Sequence, residues 1–206
     1  MKKILGLTLA AVLIIAAVGG STWAYFSDAE SSANNTLSAG TMDLNINGGN
    51  SAVTTFSVTS AAPGDSGNGS STLANAGNMS GELDITFSAV TNTGGSGGGE
   101  YEDGVGNLGA AAQIAVYIDV DSSSSWTAGD IGLKSDATIY AHPTALAYAV
   151  INSYGGKTWD AIETMAASAS DKFAVAWQVP TSAGNNIQGD SVSFDITFTL
   201  EQAAED

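Results

Sequence analysis

Val192-Ser193-Phe194-Asp195-Ile196-Thr197-Phe198-Thr199-Leu200 alternates apolar and polar residues over nine positions. Successive side chains of an extended chain point to opposite faces, so this stretch predicts an antiparallel strand with one face buried and one wet. Outward from it, Leu83, Ile85 and Phe87 recur at period two with Asp84, Thr86 and Ser88 between them. Ile114, Val116, Ile118 and Val120 repeat the pattern, and residues 173–179 and 53–58 are further candidates. Between these runs lie Gly48-Gly49, the Pro63-Gly64-Asp65 turn signal, a Gly-Ser loop over 93–99 and the acidic Glu100-Tyr101-Glu102-Asp103. The spacing predicts one helix over 158–168, capped by Thr158, with Trp159, Ile162 and Met165 on one side. Residues 145–151 read equally as a short helix or a strand. The expectation is an all-β, jelly-roll-like antiparallel β-sandwich with one or two short helices in its connections.

The amino-terminal end has a different character. Lys2 and Lys3 precede an apolar run over 4–18, then small residues and Thr22-Trp23-Ala24. A positive start, an apolar stretch and small residues at the end form a secretory leader, predicted as a helix over 1–24 and cut between Ala24 and Tyr25. The run of about fifteen is short of the roughly twenty residues a membrane span needs, although an uncleaved anchor is the competing reading. Residues 25–36 would then be a free arm ahead of a domain over 37–206. Tyr25, Phe26, Ser27, Asp28, Ala29, Ser31, Ala33 and Asn35 are its candidate contact residues, since an extended segment can complete the exposed sheet edge of another molecule. Donor and acceptor surfaces differ, so such contacts run head to tail and build a filament. A disordered terminus is the alternative.

Charge and composition narrow the function. The net charge is −16, and loss of Lys2 and Lys3 would leave Lys134, Lys157 and Lys172 as the cationic side chains, there being no arginine. Nucleic-acid binding needs a basic surface and is excluded on that ground. The chain has no cysteine, so no disulfide can staple it. His142 is the single histidine, and no His-Glu-x-x-His pair or phosphate-binding glycine loop occurs. Zinc hydrolysis needs several nitrogen or sulfur ligands, so no enzyme is expected. Asp119, Asp121, Ser123 and Asp130 stand at the first, third, fifth and twelfth places of an oxygen-rich stretch resembling a calcium loop. Ser124 occupies its usual glycine place, and an acidic turn without metal is the other reading. Trp126, Trp159 and Trp177 read as packing residues or, if exposed, as a sugar platform.

Trp23-Ala24-Tyr25-Phe26-Ser27-Asp28 and Asn35-Thr36-Leu37-Ser38-Ala39-Gly40-Thr41-Met42-Asp43-Leu44 resemble the amino-terminal signature of the TasA/camelysin family, which includes archaeal bundling-pilus relatives. Pro63-Gly64-Asp65, Asn75-Ala76-Gly77-Asn78 and the closing 188–198 segment are similar as well. The resemblance implies export through a SipW-type signal peptidase and a jelly-roll subunit of a biofilm-matrix fibre at the cell surface. Its partners would be further copies of itself, the signal peptidase and minor or anchor subunits. Some relatives are described as surface metallopeptidases, and a monomeric adhesin or carbohydrate-binding sandwich is a further alternative.

Overall fold

The computed structural model describes residues 40–49, 61–95 and 106–202. The leader, the arm over 25–36, the candidate strand over 53–58 and the acidic 100–103 stretch lie outside the described residues. By its contacts the chain divides into Met1–Ser38 and Ala39–Asp206, and everything below concerns the second unit.

The larger sheet is built around β11 (Ser170–Gln178), which pairs antiparallel with β2 (Ser66–Asn75) on one side and β5 (Gln113–Asp119) on the other. Outside β2 lies β1 (Leu44–Ile46). Outside β5 lie β6 (Ile131–Leu133), β7 (Ile139–Ala141) and a short β8 (Ala149–Val150). The second sheet centres on β3 (Gly81–Phe87), flanked on one side by β9 (Thr158–Trp159) and β10 (Thr164–Met165), on the other by β13 (Ile196–Glu201). β4 (Thr91–Thr93) and β12 (Ser191–Ser193) form a small pair that continues it. The described α-helix is a single turn, α1 (Leu108–Ala111).

The inward residues follow from the period of two. Leu73, Ile114, Val116, Ile118, Phe173 and Val175 of the first sheet and Leu83, Ile85, Phe87, Trp159 and Met165 of the second are buried together. Phe87 is the hub: its ring lies 5.3 Å from Trp159, 5.8 Å from Tyr154 and 6.4 Å from Phe173 across the sheets. Each such side chain taken out of water contributes about 1.5–3 kcal/mol. Small residues admit large partners across the ladders. Trp177 lies over Gly67, where an added Cβ would sit 2.9 Å from the indole nitrogen, and Tyr140 covers Gly132 in the same way.

Several elements differ from their sequence reading. The predicted helix over 158–168 is instead β9 and β10, both bonded to β3. Trp159, Ile162 and Met165 are buried as expected, but their spacing of three comes from an extended chain kinked at Ala161, whose φ is +47°. The backbone of this segment serves β3, with Ile162 N donating to Leu83 O and Leu83 N donating to Glu163 O. An unpaired strand edge captured what helical spacing suggested. The closing alternation is two strands rather than one: the chain breaks at Phe194-Asp195, where Ser88 N donates to Asp195 O (2.9 Å) and Ser88 Oγ accepts from Asp195 N (2.8 Å). β5 stops at Asp119, so Val120 is 38% exposed rather than a fourth buried residue, and Ala115, Tyr117 and Asp119 on the other face of β5 are buried too. Residues 145–151 resolve as β8 followed by a 3₁₀ turn at Ile151–Tyr154. β2 had no reading at all, because its Ser, Gly and Asn are poor strand formers in isolation.

Candidate functional site

The acidic loop runs from the end of β5 to the start of β6. Asp119, Asp121 and Asp130 each place a carboxylate oxygen within 4.8 Å of the others. Asp119 and Asp130 are 0% exposed, while Asp121 faces solvent. The loop is held by its own backbone. Ser123 N and Ser124 N donate to the two Asp119 oxygens (3.0 and 2.8 Å), and Val120 N and Thr127 N donate to those of Asp130 (3.1 and 2.6 Å). Ser124 takes the left-handed turn expected of glycine, with φ +64°.

Two oxygens that sequence reading passed over join this set. The Ser123 hydroxyl donates to the Ser125 carbonyl (3.1 Å), and the Thr127 hydroxyl donates to Asp121 Oδ2 (3.0 Å). Asp119, Asp121, Ser123, Ser125, Thr127 and Asp130 occupy places one, three, five, seven, nine and twelve of the loop, and the Thr127 hydroxyl meets the carboxylates of Asp121 and Asp130. The signal was present in the alternate spacing of Ser125 and Thr127. Electrostatics agree with a crowded site. Burial pushes the Asp119 carboxyl up, the Ser124 and Ser123 amides oppose that, and the Asp121 carboxyl raises it further. Asp121 is held down at about 2 by the Ser123 hydroxyl and amide, then by Thr127. Lys172, opposite Asp119 in the ladder, donates to Ser122 O (2.9 Å) and Ser124 Oγ (3.0 Å).

A second carboxylate group, Asp84, Asp160 and Glu201, lies on the solvent side of β3 and β13 and had no sequence reading. Of the tryptophans, Trp159 is core. Trp126 packs edge-on to Tyr117 (5.5 Å), and its Nε1 donates to Thr144 O (2.8 Å). His142 lies 6.0 Å from the Trp126 ring on the exposed side.

The other feature is an edge. Among the described residues β13 pairs with β3 alone, leaving its far side without a partner. Ile196, Phe198 and Leu200 are only half-buried, unlike the inward residues of β3 beside them. The neighbouring root of β1 is pinned by the Asn75-Ala76-Gly77-Asn78 motif. Asn75, fully buried, donates through Nδ2 to Met79 O, Met165 O and Ala166 O, and Asn78 Oδ1 accepts from Thr41 N (2.7 Å). Met42 and Leu200 meet over Gly81. The motif therefore holds residues 41–43, with Met42 beside β13.

A family model described as camelysin metallo-endopeptidase matches residues 1–206. The chain belongs to the TasA/camelysin family. Its members are cell-surface or extracellular proteins. No curated protein matches the chain in sequence. The family's description implies a metal-dependent peptidase, which in zinc form calls for imidazole or thiolate ligands. This camelysin-family chain has one histidine and no cysteine, and neither carboxylate group among its described residues includes His142. Both groups are all-oxygen, the donor set of hard cations. The residues present do not fit a peptidase zinc centre.

Proposed function

We propose that this camelysin-family chain is a secreted, non-catalytic structural subunit that polymerises head to tail into an extracellular filament of biofilm matrix. Residues 25–36 supply the donor strand, with Tyr25 and Phe26 as anchors, and the free side of β13 in the next subunit is the acceptor. One observation carries the reading: a six-residue strand, β13, has an apolar, half-buried face and a single partner among the described residues. Main-chain hydrogen bonds supply affinity in such additions, and apolar side chains entering the seam supply register. Removal of the leader frees the donor end, which confines assembly to the outside of the cell.

A chain begun at Ser38 is expected to stay folded and monomeric by size exclusion and to show no fibres in electron micrographs. Fibres from that variant would overturn strand donation. Because the chain lacks cysteine, a Phe26→Cys, Thr199→Cys double variant should give a ladder of disulfide-linked multimers on oxidation. Filaments without the ladder would place the acceptor elsewhere.

A second reading concerns the acidic loop, which we propose takes Ca²⁺ as a folding staple. The three close carboxylates and the oxygen-bearing residues at alternate loop places favour it, since Ca²⁺ takes six to eight oxygens. A cation bound only by the folded form stabilises a chain that has no disulfide.

A further inference from the structure

Three Asn-x-Ser/Thr triplets occur in the chain: Asn34-Asn35-Thr36, Asn68-Gly69-Ser70 and Asn78-Met79-Ser80. In an exported protein such a triplet on the surface is an acceptor for N-linked sugar. The second and third lie among the described residues, and the fold presents both. Asn68 is in β2, opposite Ala176. Ser71, Leu73 and Asn75 face the core from that strand, so Asn68 and Ser70, of the other parity, face away, and both are exposed. The Asn68 side chain makes no hydrogen bond among the described residues. Asn78 lies in the exposed bend after β2. Its Oδ1 is occupied by Thr41 N, its Nδ2 makes no hydrogen bond among the described residues, and Ser80 is exposed as well. Elsewhere Asn47, Asn75, Asn92 and Asn107 commit Nδ2 to a neighbour.

We propose that Asn68 and Asn78 carry N-linked glycans. The proposal rests on export but not on polymerisation. The donor would be an oligosaccharide linked to a lipid phosphate or pyrophosphate, delivered by a membrane transferase on the exporting face. Asn Nδ2 attacks the anomeric carbon, and a C–N bond forms as the bond to the phosphate oxygen breaks. The lipid phosphate leaves with the electron pair, and Nδ2 gives up one proton to a base. The Ser hydroxyl two residues on is the group the transferase reads. Asn34 sits in the arm assigned as donor strand, where a sugar would bar entry into a seam, so it stays unmodified in assembled filaments.

The test is peptide and intact mass analysis of the native protein from its own cells, with the first residue determined on the same sample. Both peptides are expected to carry a sugar mass. Ser70→Ala and Ser80→Ala should each remove one increment, while Ser70→Thr keeps it. An exported, leader-free chain with unmodified Asn68 and Asn78 overturns the proposal and leaves the filament reading standing. A chain held inside the cell with its leader intact removes the export premise, and the proposal with it.

Discussion

Glu163 shows how a single side chain can make this fold sensitive to pH. Its Oε1 is buried without a hydrogen-bond partner among the described residues, and burial, then the charge of Asp171, pushes its carboxyl up to about 7. A folded-state value above the ordinary 4.5 means the fold holds the proton more tightly than the open chain does. That stability is fully present below pH 4.5 and is lost as pH rises through about 7. Asp171, also raised chiefly by its burial, acts in the same direction. Glu163→Gln should therefore be more stable than the parent at pH 8, on the order of 1–2 kcal/mol after allowance for partial exposure. Denaturant melts at pH 5 and pH 8 read this, and an unchanged pH dependence in the variant would refute it. At the acidic loop, Ca²⁺ at a hundred times its dissociation constant should add about 2.7 kcal/mol. For a domain of this size that raises Tm by roughly 5–10 °C. Asp130→Asn should lose the response, and a Tm indifferent to Ca²⁺ and chelator would leave the loop as an acidic turn. The residue types of this loop were legible in the sequence. The Ser125 and Thr127 contributions were not weighed there, because a carbonyl or hydroxyl becomes a ligand only when the turn aims it.

At the scale of elements, the strands that carry their own apolar alternation, β3, β5 and β11, were legible in their residues. Those that borrow stability from neighbours were not. β2 is mostly Ser, Gly and Asn over its first half, and it exists because β11 offers nine residues of ladder to pair with. β9 and β10 occupy helical spacing but satisfy the free side of β3. The Asn75 motif is an element-level device, since the buried Asn75 amide ties β2 to β10 and Asn78 holds Thr41 at the root of β1. Asn75→Ala should cost about 2–4 kcal/mol, because the carbonyls of Met79, Met165 and Ala166 lose their donor in a buried place. Hydrogen exchange should show β1 opening first, and uniform loosening of the whole domain would count against the pinning role. Phe87→Ala, by contrast, removes the hub of the core and should cost about 3–5 kcal/mol in equilibrium unfolding.

For the whole molecule, assembly and charge meet. A strongly acidic chain resists close approach of its copies, so the proposed head-to-tail contact should strengthen when that repulsion is screened. Filament growth of the mature chain, followed by light scattering, should accordingly quicken from low to moderate salt. Slower growth would mean that charge pairs, not strand addition, hold the subunits. The all-β class, the family and the acidic loop could all be read from local patterns: a period of two, a motif, a spacing of aspartates. Each depends on residues close together in the chain. The break between β12 and β13, the capture of residues 158–165 by β3, and the half-covered face of β13 depend on which backbone groups find partners far away in sequence. Hydrogen-bond satisfaction and burial are properties of the assembled sheets, so these features had to wait for the fold.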